Sequence, residues 1–590
     1  MSDRLKTAIS IKIQSDIFTD IFRHDISLFD LRFNIWLISY SNVEVDIERK
    51  ICYNFLSIIY GNDLFLPKGI KHMTKRIISF ILCTIMVFAF VVSCTKQPDQ
   101  PIDSNHTKES DSVAQPDGPS SSDNTNETKT PDQTQLDTDE NGYIRDGLKD
   151  LNFGGQTINI IYWEDVENPE YFVEQYEGSL VDSAIYKRNL NVTTRLNVKL
   201  NYIPCKGNSG NYQTFVSKVK AANESGGTDG SDSYDIASAH SRTIGALTYN
   251  SLTRNLRTLK YIDFEKPWWS KSLLEQSTIN DQLHFASGDI STNVLYMMYV
   301  VFYNKQMLAD HNLEDPIKFV DSNEWTLEKM FEMSKDCYED APGGGQGTKD
   351  TTDTFGHVTS ALHLDAYLQG SNIICLVKDT NGKLMLSDDY KGEKTMKLIE
   401  KISTFFESDA GLIDSKAYKT IFAEGRSLFV TDRADIVITD VKTDEFEIGI
   451  VPIPKYDSNQ KDYRTLLGNP FSLYSVTRMS KKADMAAAVL ECLASESYRL
   501  VTPSIFEITM KIKYSAGSEY SKMYDIIREN VVYDLSRVFY KVICNGAIDS
   551  NYQDAVSGKL SMAWTTKMRT AKISIEKDIK KIQTLFDSFK

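Results

Sequence analysis

The sequence predicts an α/β fold in two lobes, and two observations carry that expectation. Strand and helix signals alternate from residue 156 onward in the order βαβαβ, which implies a parallel sheet covered by helices. About 440 residues follow a long polar segment, more than one hydrophobic core normally serves and enough for two.

Taken in order, Gln156-Thr157-Ile158-Asn159-Ile160-Ile161-Tyr162-Trp163 reads as the first strand. Val181, Ile185, Val192 and Leu196 then recur at helical spacing within residues 180–196, and Asn197 suits the C-terminal cap. Val198-Lys199-Leu200-Asn201-Tyr202-Ile203 returns as a strand, and a second helix is expected near residues 212–222. After a loop of Gly, Asp and Ser, Tyr234-Asp235-Ile236-Ala237-Ser238 reads as the third strand. The apolar run Tyr296, Met297, Met298, Val300, Val301 and Phe302 is expected to be a buried strand crossing between lobes. Trp325 stands where a helix begins, with Thr326 as its cap, and is expected to seal that helix to its lobe; Trp268 and Trp269 are also expected in packing. Residues 486–493 form a core-facing helix that ends at Ser495-Glu496-Ser497.

Ahead of this domain lies a secretory pattern. Lys75-Arg76 precedes an apolar run over residues 77–90, and Val91-Val92-Ser93-Cys94 closes it. Ending in cysteine, the pattern resembles a bacterial lipoprotein signal, in which the Cys94 thiol takes a lipid and becomes the first mature residue. The run falls short of the roughly 20 apolar residues that span a bilayer. Met73 stands directly before it, so residues 1–72 are expected to be translated upstream sequence and residues 73–94 the signal. Residues 95–142, rich in Asp, Ser, Thr, Pro, Gln and Asn, cannot bury enough surface to offset the entropy of ordering and read as a flexible stalk. Asn105-His106-Thr107 and Asn126-Glu127-Thr128 match the glycosylation pattern, a chance match in a bacterial lipoprotein.

Composition excludes several classes. The chain has 590 residues, 41% hydrophobic and 25% charged, with a formal net charge of -15, whereas phosphate binding to nucleic acid needs concentrated Lys and Arg. Cys205, Cys337, Cys375, Cys492 and Cys544 are widely spaced, without zinc-type spacing, and are expected to be buried free thiols rather than metal ligands. No Gly-x-Ser-x-Gly, His-Glu-x-x-His or Gly-x-x-x-x-Gly-Lys motif occurs. Gly343-Gly344-Gly345-Gln346-Gly347 lacks the strand before and helix after that a phosphate loop requires. No catalytic residue, cofactor or metal is therefore expected.

Short pieces recur in a telling order. They are Phe153-Gly154-Gly155, Tyr234-Asp235-Ile236, Lys266-Pro267-Trp268-Trp269, His284-Phe285-Ala286-Ser287-Gly288-Asp289-Ile290, Phe302-Tyr303-Asn304-Lys305 and Trp325-Thr326-Leu327-Glu328. Phe422-Ala423-Glu424-Gly425-Arg426, Gly449-Ile450-Val451-Pro452-Ile453-Pro454-Lys455-Tyr456 and Tyr533-Asp534-Leu535 follow. Across residues 150–590 the chain resembles the family 1 extracellular solute-binding proteins that feed importers powered by ATP. The resemblance implies a type II periplasmic-binding fold of the maltose-binding kind, two hinged α/β lobes with the ligand held between them. The solute-binding domain would span residues 143–590. Lobe one would cover about 150–303 plus a segment after about 470, lobe two about 304–470 plus the C-terminal part, with crossings near residues 302–305 and 469–476.

Ligand contacts are expected on loops at the carboxyl ends of the sheet strands. Trp163 and Glu164 lie just past the first strand and Ala239-His240-Ser241 just past the third; Asp289 follows a hairpin strand, and Asp440 follows Ile436-Val437-Ile438-Thr439 in the other lobe. Trp163 could stack on a sugar ring, or simply pack at a strand end, while Glu164, Asp289 or Asp440 accept hydrogen bonds from hydroxyls. His240 is the weaker candidate, a single polar loop residue. The implied partners are a small solute, most of all a sugar or oligosaccharide, and the transmembrane subunits of an ABC permease. The protein would be a monomer outside the cytoplasm, on the bacterial cell surface, lipid-anchored to the membrane. The alternative is a surface lipoprotein of the same fold that signals to a sensor or binds wall polysaccharide.

If Met73 is the true start, a tryptic digest of the expressed protein yields peptides from the remainder of the chain and none from residues 1–72. Recovery of peptides from that extension by mass spectrometry overturns this reading.

Overall fold

The computed structural model describes residues 138–589, apart from 141, 175–177, 225–233, 343, 346, 442–444, 514–517, 560 and 561. Residues 1–72, the signal with Cys94 and nearly all of the 95–142 stalk lie outside the described residues. Among the described residues, no helix is long and apolar enough to cross a membrane.

Strand β1 (Gln156–Trp163) buries Ile158, Ile160 and Ile161. Helix α1 (Leu180–Leu196) starts at a capping box, where Ser179 and Asp182 each accept the other's backbone N–H, and stops where Asn197 turns left-handed at φ 47°. Strand β2 (Val198–Cys205) pairs parallel with β1 along its whole length, followed by α2 (Tyr212–Glu224). Strand β3 (Ile236–His240) leads directly into α3 (Ser241–Tyr249). β3 sits two residues later than its local pattern suggests. Asp235 is tied to Asn159 through both its backbone N–H and its carboxylate, at 2.8 and 3.0 Å, so the strand opens after it. At the far end, pairing with residues 472–476 prolongs β3 through His240.

The second sheet begins with β4 (Tyr299–Asn304) and β5 (Phe355–Thr359), then α4 (Asp365–Gly370), the hairpin β6 (Leu376–Lys378) and β7 (Leu384–Leu386), and α5 (Glu393–Glu407). Strands β8 (Gly411–Ile413), β9 (Ser427–Arg433) and β10 (Ile448–Pro452) complete it in the order β10-β4-β9-β5-β8. Trp325 is fully buried here; its indole donates to Pro452 O at 2.8 Å, and Thr326 caps the following helix, as its sequence position implies.

After β11 (Thr465–Leu466) the chain returns to the first sheet as β12 (Ser472–Val476), antiparallel to β3, giving the order β12-β3-β1-β2. Helix α6 (Ala483–Glu496) packs on α1, and α7 (Ser518–Glu529) packs on β10. β13 (Val531–Val532) pairs with β11, while α8 (Leu535–Val538) lies on α3. Helix α9 (Ala547–Val556) covers α5, and α10 (Trp564–Ser588) covers β7. Two α/β lobes therefore share one chain that passes between them repeatedly.

The crossings are paired with each other. Met298 bridges Leu467, and Gly468 N–H donates to Met297 O at 2.7 Å. The first crossing thus precedes Tyr299, earlier than the expected 302–305, because every residue from Tyr299 to Tyr303 pairs with β9 inside the second sheet. At Gly468 a Cβ would lie 2.9 Å from the Arg433 side chain. Gly449 is tighter still, since a Cβ there would fall inside the Tyr303 ring one strand away.

Substituting Gly449→Ala is expected to overpack β10 against β4 and lower unfolding stability by about 3 kcal/mol in a denaturant titration. A change within error would mean that Tyr303 swings clear at no cost.

Candidate functional site

Residues following β1, β5 and β9 meet the start of α3 and the turn after α8 in a charged seam between the two sheets. Across it, Arg433 at the end of β9 donates to Glu167 in the loop after β1, at 2.8 Å. The Arg433 Nε also lies 3.7 Å from both Asp432 and Asp435. Nearby, Arg537 of α8 binds Asp365 of α4 at 2.6 Å and lies 3.6 Å from Asp549 of α9. Asp549 also takes Arg242 of α3 at 3.2 Å, and the Arg242 guanidinium sits 3.6 Å above the Tyr540 ring. His363 approaches Asp432 at 3.2 Å and packs against Tyr299.

Burial sets the electrostatics of this seam. Desolvation raises Asp365 to about 6, with Asp549 adding to the rise and Arg537 opposing it. Desolvation likewise raises Asp435 to about 6 against the pull of Arg433. Three guanidinium nitrogens, Arg242 Nε, Arg433 Nε and Arg537 Nη2, are buried without a hydrogen-bond partner. Such donors are costly to leave unmade, and an oxygen acceptor beside them would remove that penalty.

The residues singled out in the sequence fall into two groups. Trp163, His240 and Ser241 come together beside the start of β12. The Trp163 ring is buried, its Nε1 donates to Ser472 Oγ at 2.9 Å, and its edge contacts the His240 ring at 5.4 Å. His240 is the last residue of β3 rather than a loop residue; its Nδ1 accepts the Arg242 backbone N–H at 3.1 Å and so caps α3. Burial, then the charges of Arg242 and Lys541, push its imidazole well below the usual range and keep it neutral. Ser241 Oγ donates to Asn469 O at 2.8 Å, tying α3 to the second crossing. Glu164 is exposed just beyond β1.

Asp289 and Asp440 have their partners elsewhere. Asp289 accepts from Thr502 at 2.6 Å and Arg528 at 3.0 Å, beside a cavity of about 450 Å³ that Trp268, Trp269 and Met298 also line. Asp440 pairs with Lys419 at 2.5 Å. Ile436–Thr439 before it is a helical turn, not part of a strand, since β9 already ends at Arg433. Arg242 was within reach of the strand-end rule, one residue beyond Ser241. Asp365, Arg433, Arg537, Tyr540 and Asp549 carry no local signal, because only tertiary packing assembles them. Among the described residues, no group of His, Cys, Asp and Glu is placed to hold a metal ion.

Comparison with known proteins gives a family match and several structural likenesses. The family model described as bacterial extracellular solute-binding protein matches residues 203–499, just over half of the chain. The cyclic alpha-maltosyl-1,6-maltose binding protein from Arthrobacter globiformis is 12% identical, with a TM-score of 0.49 over 72% of this chain and 100% of its own. The sugar-binding protein MalE from Xanthomonas citri is 10% identical, with a TM-score of 0.48 over 73% and 99%. A family 1 extracellular solute-binding protein from Bifidobacterium longum subsp. infantis is 13% identical, with a TM-score of 0.46 over 73% and 100%. No curated protein sequence matches the chain.

Asp435 binds its proton more tightly folded than unfolded, so its contribution to stability falls as pH rises from about 4 to about 6. Asp435→Asn is therefore expected to stabilise little at pH 4 and fully by pH 7, read as the difference in denaturation midpoint from wild type. A difference independent of pH would mean that Asp435 is ionised throughout.

Proposed function

This chain belongs to the bacterial extracellular solute-binding protein family, and we propose that it captures a carbohydrate or oligosaccharide between its lobes and delivers it to the membrane subunits of an ABC-type importer. The observation that carries the solute class is the seam itself. Three buried guanidinium N–H groups without partners stand beside carboxylates and the Tyr540 ring. Hydroxyl groups accept from the former and donate to the carboxylates, while an aromatic face packs on the apolar side of a sugar ring.

In this reading Arg242, Arg433, Arg537, Asp365 and Tyr540 contact the solute, and exposed Glu164 adds an acceptor at the mouth. Trp163, His240 and Ser241 shape the floor through their own hydrogen bonds. Asp289 and Asp440, held by Arg528 and Lys419, are left out. The paired crossings serve as the hinge. A solute touching both lobes favours closure by its differential affinity for that state, and closure is what a permease reads. The protein acts as a monomer without catalysis or cofactor, outside the cytoplasm, tethered through Cys94.

Thermal unfolding of the protein against mono- and oligosaccharides, amino acids and short peptides tests this. A true ligand at 100 times its dissociation constant stabilises by about 2.7 kcal/mol and should move the midpoint by a few degrees. Tyr540→Ala and Arg242→Met are each expected to weaken that ligand at least tenfold. A shift from peptides but no sugar would reassign the solute class.

A further inference from the structure

The C-terminal helix α10 carries a charge opposite to that of the chain. It holds six basic residues and three acidic ones in a protein of net charge -15. One face, with Trp564, Met568, Ile575, Ile579, Ile582 and Phe586, is buried against the domain. The 3.6-residue period places Arg569, Ile573, Lys577 and Lys580 on the opposite face, and all four are exposed. Ile573 is 69% exposed in the middle of these cations. Among the described residues, Arg569, Lys577 and Lys580 have no carboxylate partner. The nearby acids are otherwise engaged or aside: Asp578 is taken by Lys581 at 2.6 Å, Asp587 by Asn280 and Gln583, and Glu576 stands at the edge of the stripe.

We propose that this outer face of α10 docks on an anionic phospholipid surface. A straight row of cations around one apolar side chain suits a headgroup layer, where the isoleucine enters the interface and the ammonium groups meet phosphates. A protein partner fits less well, because lysine is depleted from protein interfaces and Ile573 offers only one apolar anchor. Each cation close to such a surface multiplies partition about fivefold, so the three outermost together favour anionic over neutral lipid on the order of a hundredfold. Docking would orient the lobes relative to the membrane rather than leave them free on a tether.

The test is a lysine-acetylation footprint of the full chain on vesicles of phosphatidylglycerol and of phosphatidylcholine, with Lys199 as the exposed reference on β2. Any insertion through the N-terminal segment is common to both lipids. Lys577 and Lys580 should react at least fivefold more slowly on phosphatidylglycerol alone, with the protection lost at high salt. The triple variant Arg569→Glu, Lys577→Glu, Lys580→Glu should keep the wild-type unfolding midpoint, and an Ile573→Ser variant should show weaker protection at Lys577 and Lys580. Equal labelling on both lipids overturns the proposal. So does protection that appears only when an acidic protein is added, which would assign the face to a protein partner.

Discussion

Everything at the seam depends on the return of residues 472–476 to the first sheet. That strand pairs with β3 across more than two hundred residues of sequence, setting Ser472 opposite His240. The hydroxyl of Ser472 then receives the Trp163 indole and meets Tyr171, so the ends of β1 and β3 are held together by one residue from the far side of the chain. The crossing that delivers it is itself paired with the outgoing one, Gly468 to Met297. Two lobes with separate sheets are thereby joined, among the chain's several passages between them, by two short segments hydrogen-bonded to each other.

The ion pairs between the lobes are poor candidates for adding stability. Removing charges from water costs several kcal/mol per ion, and their mutual attraction repays this only with good geometry and full hydrogen bonding. In the seam the geometry is incomplete, since three guanidinium nitrogens stay unmatched and two carboxylates are pushed toward neutrality by burial. A fold selected for stability alone would fill that space with apolar side chains. Retaining five acids and three arginines there is better explained by a polar occupant that completes their hydrogen bonds.

Elsewhere, buried charge has a structural use. Glu491 of α6 accepts from the Trp268 and Trp269 indoles at 3.0 and 2.9 Å and from Asp263 N–H, which anchors the 263–271 loop to the first lobe. Burial lifts its carboxyl to about 8. Both tryptophans spend their only polar side-chain atom on this contact, which accounts for their place in the core.

The sequence by itself determined the local elements: β1, α1 with its asparagine cap, and the helix that Thr326 starts all follow from periodicity and capping chemistry, which act over a few residues. It also marked the strand ends near Trp163 and His240 as places to look. Tertiary structure decided the rest. The end of β3 and the position of the first crossing were set by pairing partners far away in the chain, and the helical turn before Asp440 forms where β9 has already stopped. The seam itself joins Arg242 to Tyr540 and Asp549, some three hundred residues on, through helices too short to announce themselves. Distant charges are brought together by the packing of two lobes, and no local pattern of residues encodes which of them will meet.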